Sequence, residues 1–598
     1  MKDFFKYMLA TMCGIVVMSI LGGILFFVLL MGIIAGSDKG VKAPEQSVMV
    51  LKMDGAVMER TEDMGPLGTI FNTTGIQLMG LDDILCAIQK AKDEPNIKGI
   101  YLEGGAATYD SPATAQQIRD ALKDFRKSGK WIVAYGDNVM QSSYYIFSVA
   151  NELYLNETGM INFAGLGGRS MYWKGLYDKI GIKILTTRVG RYKSYVESLT
   201  RTDMSDDDRE QRTAMLTAVW QKMLSDISES RGVSAEQLNQ LADDSIMLFA
   251  SADDYKAAKL IDRTMYPDEV QQLIRKKLGL KDDETINQLT LEQMLTLRPA
   301  KKVKQKGGEV AVYYAYGEIV DQPFSGLQSE HAIVGTETVR DLQKLAQDDD
   351  VKAVVLRVNS GGGSAVASEQ IWHAVKQLKE KKPVVVSMGG VAASGGYMIS
   401  CGANYIYAEP TTITGSIGIF GLIPNLSELM TNKLGITFDG VTTNRYSDFE
   451  TSLVFMTENS DELKHMQTYV DRGYDRFLAI VSDGRGMPTD SVHEIAQGRV
   501  WVATDALPIK LVDELGSVND AVKKAAQLAG LSEYYTAAYP EKTGWIDQLM
   551  NTDDATGTYL DGQLHQVLGD LYEPFTEARM NQQRNMLQAR LPYGTVLR

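Results

Sequence analysis

The chain repeats itself, and that repeat limits its possible folds more than any other feature of the sequence. NIKGIYL (96–102) matches DVKAVVL (350–356), WIVAY (131–135) matches VVVSM (384–388), and NELY (151–154) matches NYIY (404–407). The separation stays at 253 or 254 positions across much of each half and drifts only near the ends, where VMVLKMDG (48–55) matches VAVYYAYG (310–317) and AAKLID (257–262) matches LPIKLVD (507–513). Self-similarity in register over so long a stretch means two diverged copies of one unit. Within each copy, short apolar runs read as strands, and between them lie stretches with helical apolar spacing. In 114–126 the apolar positions are Ile118, Leu122 and Phe125, and in 367–378 they are Ile371, Val375 and Leu378. Alternation of apolar strands and helices predicts parallel strands joined by βαβ crossovers. The fold class is therefore α/β, a tandem of two like units.

Length and patterning divide the 598 residues further. No charged residue occurs between Tyr7 and Ser37, and 14–35 reads GIVVMSILGGILFFVLLMGIIA. A run of about 20 such residues is long enough to cross the hydrocarbon core and longer than the apolar part of a cleaved signal peptide, so an uncleaved anchor is expected. Lys2 and Lys6 precede it, which places the short N-terminal flank on the cytoplasmic side. The expected division is an N-terminal tail and transmembrane anchor (1–45), a first α/β repeat (46–279), a linker ending in the basic stretch 301–306 (280–308), a second repeat (309–535) and a helix-compatible tail (536–598). The net charge of −15 argues against nucleic acid as a partner, because phosphate binding needs a basic face. Three cysteines, Cys13, Cys86 and Cys401, are too few for a disulfide framework, although Cys86 and Cys401 are able to pair in principle, and no CxxC suggests a metal.

The chemistry is concentrated in the second copy. RVNSGGGS (357–364) follows a strand, and glycines there let backbone N–H groups face a ligand. GGVAASGGY (389–397) follows the next strand and opens an apolar helix. Ser394 at such a turn projects its hydroxyl into a cleft with the Gly395 N–H beside it, the arrangement of an activated serine with an oxyanion donor; the same residues also fit a plain helix cap. A serine nucleophile needs a base. None of the five histidines, His331, His373, His465, His493 and His565, lies in a segment resembling a catalytic site. A lysine becomes the candidate, since burial lowers its pKa towards neutrality.

The repeat says which lysine. Gln141 aligns with Ser394, and EGGAA (103–107) replaces the glycine turn, so the first copy lacks the nucleophile. VGRYKS (189–194) aligns with TNRYSD (443–448), which sets Lys193 against Ser447. Each copy has kept one half of a possible dyad.

These segments resemble the signatures of signal peptide peptidase A of the long, duplicated type: AASGGY (392–397), TITGSIGIF (412–420), RVNS (357–360) and GRYKS (190–194). The resemblance runs from the anchor to about residue 516, with Gly361 standing where the family usually has proline. It implies ClpP/crotonase-like units and a membrane-bound peptidase that degrades remnant signal peptides. It further implies Ser394 as nucleophile, Lys193 as general base, Ser416 as the serine that hydrogen-bonds the lysine, and Gly362, Gly363 and Gly395 as the oxyanion hole. No cofactor and no metal is implied. The expected setting is the inner membrane, single-pass, with the catalytic part on the periplasmic side and four copies in a homo-tetramer. Two other readings of the same residues are a crotonase-like acyl-CoA enzyme and a membrane scaffold whose catalytic unit has decayed.

Overall fold

The computed structural model describes residues 41–61, 77–244, 250–298, 306–322, 331–542 and 588–590, with a few isolated positions before residue 23. Two parallel sheets carry the duplicated strands. In the first the order is Asn287–Leu289, Ser47–Met53, Ile97–Gly104, Trp131–Val139, Glu152–Ile161, Arg263–Thr264. In the second it is Tyr534–Tyr539, Gly308–Tyr316, Val351–Ser360, Val384–Ala393, Tyr405–Ala408, Glu514–Leu515, with Ile413–Gly415 alongside the far end of Val384–Ala393. The strands predicted from the repeat occupy the same place in both. Val384–Ala393 is buried along its whole length, as expected of a strand covered on both faces.

The duplication extends to individual side chains. Asn151 Oδ1 accepts the Ile132 N–H at 2.8 Å, and Asn404 Oδ1 accepts the Val384 N–H at 2.8 Å. Asp262 accepts from the Leu153 N–H at 2.7 Å, and Asp513 from the Ile406 N–H at 2.8 Å. The Tyr144 hydroxyl donates to Leu260 O and the Tyr397 hydroxyl to Leu511 O, both at 3.0 Å. The crossover helices are Pro112–Arg126, capped by Ser111, and Ala365–Lys381, capped by Ser364. Each cap oxygen accepts an N–H three residues on, so both helices begin just before the apolar spacing does. Each copy also carries a long helix, Asp206–Arg231 and Asp461–Arg485, ended by Gly232 and Gly486 in the left-handed region.

Two expectations change, and the two cysteines able to pair do not. Asn287–Leu289 lies inside the segment expected to be linker, yet it pairs in parallel with Ser47–Met53 and edges the first sheet. Residues 588–590, in the tail expected to be helical, form a strand. Cys86 and Cys401 are not paired: Cys86 is exposed on its helix and Cys401 is buried. The expected membrane segment lies outside the described residues apart from isolated positions; among the described residues no helix is long and apolar enough to cross a membrane.

The copies meet through buried polar groups and a shared sheet. Arg357, on a strand of the second copy, donates from Nε to Glu59 Oε1 at 2.6 Å and from Nη2 to Gln117 Oε1 at 3.0 Å, both in the first copy. Asn359 donates to Glu59 at 3.1 Å and to Asp110 at 3.0 Å. Arg357, Glu59 and Gln117 are buried and Asn359 and Asp110 half-buried, which fixes one orientation, because a buried charge without its partner is costly. The shared sheet runs Ala332–Val334, Glu318–Val320, Gly362–Ser364, Gln588–Arg590, Phe420–Asn425, Lys183–Arg188. Its last pair is antiparallel, from Phe420 opposite Arg188 to Asn425 opposite Lys183. That pairing carries the first copy's chain into the second.

Candidate active site

Ser394 sits between the buried strand Val384–Ala393 and the helix Gly395–Ser400. Its backbone has φ 57° and ψ −117°, a conformation that costs a residue with a Cβ and is held only where the surroundings enforce it. Here the Ser394 N–H donates to Gly415 O at 2.8 Å and its carbonyl accepts from the Met398 N–H at 2.9 Å. Close packing holds the turn from below: a Cβ at Gly395 would lie 2.4 Å from Ser368 Oγ, and one at Gly396 would lie 2.4 Å from Ser360 O. The outcome is a hydroxyl at the first turn of a helix, beside the Gly395 N–H.

Lys193 arrives from the first copy. After Lys183–Arg188 the chain turns at Gly190, and the Tyr192 N–H donates to Gln497 O at 3.0 Å. Gln211, on the long helix of the first copy, donates to Tyr192 O at 3.0 Å and accepts the Val500 N–H at 3.1 Å, so it ties the lysine's own loop to the second copy. Lys193 Nζ lies 2.8 Å from Ser394 Oγ, 3.1 Å from Ser416 Oγ and 3.1 Å from Ser416 O. Ser416 has φ 50°, and its N–H donates to Arg499 O.

The lysine is 0% exposed, and burial alone pushes its amine well below the ordinary lysine range. Among the described residues no carboxylate pairs with it. Of the acids near it in sequence, Asp208 bonds Ser194 and Arg212, and Glu197 bonds Ser205 and faces Arg188. A buried amine whose polar neighbours are two serines is shifted towards its neutral form, and the lone pair of that form can take the proton of the hydroxyl 2.8 Å away.

The structure thus brings Ser394, Lys193, Ser416 and Gly395 together. Gly362 and Gly363 are on the adjoining strand of the shared sheet, with φ 98° and 159°. The Gly362 N–H donates to Ser360 Oγ at 3.1 Å. Gln141 is at the equivalent helix start in the first copy, where its Oε1 accepts from the Ala164 and Gly165 N–H groups at 2.9 Å and its Nε2 donates to Gly165 O at 3.0 Å. Ser447 is exposed, its hydroxyl turned onto Asn444 O. The four described histidines have other contacts: His331 stacks on Tyr316, His493 bonds the Tyr474 hydroxyl, His465 meets the Tyr446 ring and His373 lies beside Trp372. Sequence reasoning missed Gln211, Glu59 and Gln117. The one available signal was Arg357, the single charge in the otherwise apolar run 353–358.

Comparison with known proteins identifies the family. The model of peptidase family S49 matches residues 124–281 and again 376–532, and a Clp protease model matches 324–412. The chain is 35% identical over 540 residues to Protease 4 of Salmonella typhi, covering 88% of this chain and 84% of that one. It is 35% identical over 524 residues to Protease 4 of Haemophilus influenzae (85% and 83%), and 29% identical over 449 residues to the chloroplastic serine protease SPPA of Arabidopsis thaliana (74% and 64%). These matches set aside the acyl-CoA enzyme and the decayed scaffold. The chain belongs to peptidase family S49, as a serine protease of the SppA type with its S49 unit duplicated.

Proposed function

We propose that Ser394 is the nucleophile and Lys193 the general base of a peptidase active on hydrophobic signal-peptide remnants. The observation that carries the dyad is the 2.8 Å approach of a fully buried lysine amine to the Ser394 hydroxyl. The neutral amine takes the hydroxyl proton as Oγ attacks the peptide carbonyl. The Gly395 N–H, at the helix start, faces the oxyanion that forms. Gly362 joins it only by releasing its bond to Ser360 Oγ, while Gly363 is the turn's other proposed donor. The lysine, now charged in an apolar setting, returns its proton to the leaving amine, and water then hydrolyses the acyl-enzyme by the same route. Ser416 keeps the amine aimed at Ser394 without a negative charge that would hold it protonated.

Signal-peptide remnants fit an enzyme with the apolar run 14–35, which we read as a single-pass inner-membrane anchor with the catalytic units on the periplasmic side. The same reading includes assembly as a homo-tetramer. The test is turnover of a signal-peptide fragment in vesicles. Ser394→Ala and Lys193→Ala are each expected to abolish it while the protein folds and inserts, because a nucleophile and its base act as a unit. Substantial turnover by either variant overturns the dyad; intact turnover of soluble peptides with none of the fragment overturns the substrate.

A further inference from the structure

The shared sheet contains a slot one strand wide. Gly362–Ser364 and Phe420–Asn425 are not paired with each other; the three residues Gln588–Arg590 lie between them, antiparallel to both. Gly362 faces Arg590, Gly363 faces Ala589, Ser364 faces Gln588, and Gln588 also faces Phe420. Adding a strand to open backbone groups is how extended peptides are bound, main chain for affinity and side-chain pockets for specificity. This strand runs directly over the turn at Ser394. A Cβ at Gly362 would lie 1.9 Å from Ala589 O, and one at Gly395 would lie 3.2 Å from that same oxygen. Ala589 is fully buried and packs into the apolar core of the second copy.

Arg590 shows what the next position accepts. Its Nη2 lies 2.8 Å from Glu318 Oε2, and its Nη1 donates to the Tyr195 hydroxyl at 3.4 Å. The guanidinium sits 5.5 Å from the Tyr195 ring centre, and that ring stacks on Phe420 at 5.0 Å. Tyr195 is two residues beyond Lys193, and Glu318 is on the strand that pairs with Gly363 through Ile319. A carboxylate on the sheet and an aromatic face stacked on the sheet residue Phe420 suit a planar cation.

We propose that this slot is the peptide-binding groove and that Glu318 and Tyr195 form a subsite for a basic residue that directly follows a small one. The inference rests on the peptidase reading and adds a sequence preference to it: peptides with alanine or another small residue followed by arginine or lysine. The chain's own segment 588–590 occupies the groove in the manner of such a peptide, and a substrate must displace it.

The experiment uses the full chain and three fluorogenic peptides that differ only after the alanine, at Gln-Ala-Arg, Gln-Ala-Gln and Gln-Ala-Glu. Wild type is expected to favour arginine over glutamate by roughly ten-fold in kcat/KM, the size of one half-buried charge contact. Glu318→Gln should flatten the order and Glu318→Lys reverse it, with Ser394 still labelled by a serine-directed probe in both. Arg590→Ala should raise kcat/KM for all three peptides and leave their order alone. The same order of preference in Glu318→Lys as in wild type overturns the subsite, and a rate that Arg590→Ala leaves untouched overturns the groove. Failure of the peptidase reading looks different: wild type turns over none of the peptides, and no probe labels Ser394.

Discussion

Lys193 Nζ lies 2.8 Å from Ser394 Oγ, and the two residues belong to different copies of the repeat. Duplication therefore did not leave two equivalent sites. The position aligned with Ser394 holds Gln141, bonded to a loop backbone, and the position aligned with Lys193 holds Ser447, exposed. Each copy supports the part the other lacks, so the orientation of the copies is itself a requirement of the chemistry. An error of about 1 Å between a nucleophile and its base is enough to slow a reaction severely.

Gln141→Ala should leave activity nearly intact and lower stability. Its amide makes three hydrogen bonds to Ala164 and Gly165, and their loss leaves backbone groups short of partners at a cost of about 1–3 kcal/mol. Chemical unfolding and peptide turnover, measured together, check this. A catalytic defect as deep as that of Ser394→Ala, with normal unfolding, means that the wrong copy has been assigned the nucleophile.

Glu59→Ala should destabilise the protein by about 3–5 kcal/mol, since it strands the Arg357 guanidinium in a site that is 2% exposed. The double variant Glu59→Met with Arg357→Met should recover much of that loss, because it removes both charges. Turnover should track the fraction folded at the assay temperature. Full stability in Glu59→Ala contradicts the role assigned to this pair at the junction of the copies.

Glu409 gives a pH-dependent effect. Burial pushes its carboxyl up to about 8 from an ordinary value of 4.5, with Arg357 opposing the rise. The folded state thus prefers the protonated acid. Its contribution to stability is complete below the unfolded value and is lost as pH rises through about 8. Glu409→Gln, neutral throughout, should match wild type in Tm near pH 4.5 and exceed it increasingly up to about pH 8. Thermal unfolding across that range is the check; a Tm difference independent of pH contradicts the buried, protonated state.

The duplicated sheets were legible in the sequence because their strands are apolar runs recurring at a nearly constant spacing, and Asn151 and Asn404 show that the spacing extends to single hydrogen bonds. Lys193 and Ser394 were legible because the copies differ where they should agree. The shared sheet was not. Glu318–Val320, Gly362–Ser364 and Gln588–Arg590 are three residues each, too short for any periodicity to declare them. Tail residues that read as helix-compatible became a strand because the sheet offered them a slot between two partners. Arg357 was visible as a charge inside the apolar run 353–358, but Glu59, its partner 298 positions away, carries no local sign of the pairing.

The most direct test of the account is the pH dependence of acylation at Ser394 by a serine-directed probe, in wild type and in Lys193→Ala. Burial holds the Lys193 amine well below its ordinary 10.5, so the neutral base forms at lower pH than it does in a free lysine. The wild-type rate should therefore rise with pH on a single ionisation well below that of a free lysine and then level off, and Lys193→Ala should lose both the rate and that ionisation. A wild-type profile that keeps climbing through the free-lysine range, or a Lys193→Ala profile with the wild-type inflection, contradicts the assignment of Lys193 as the base.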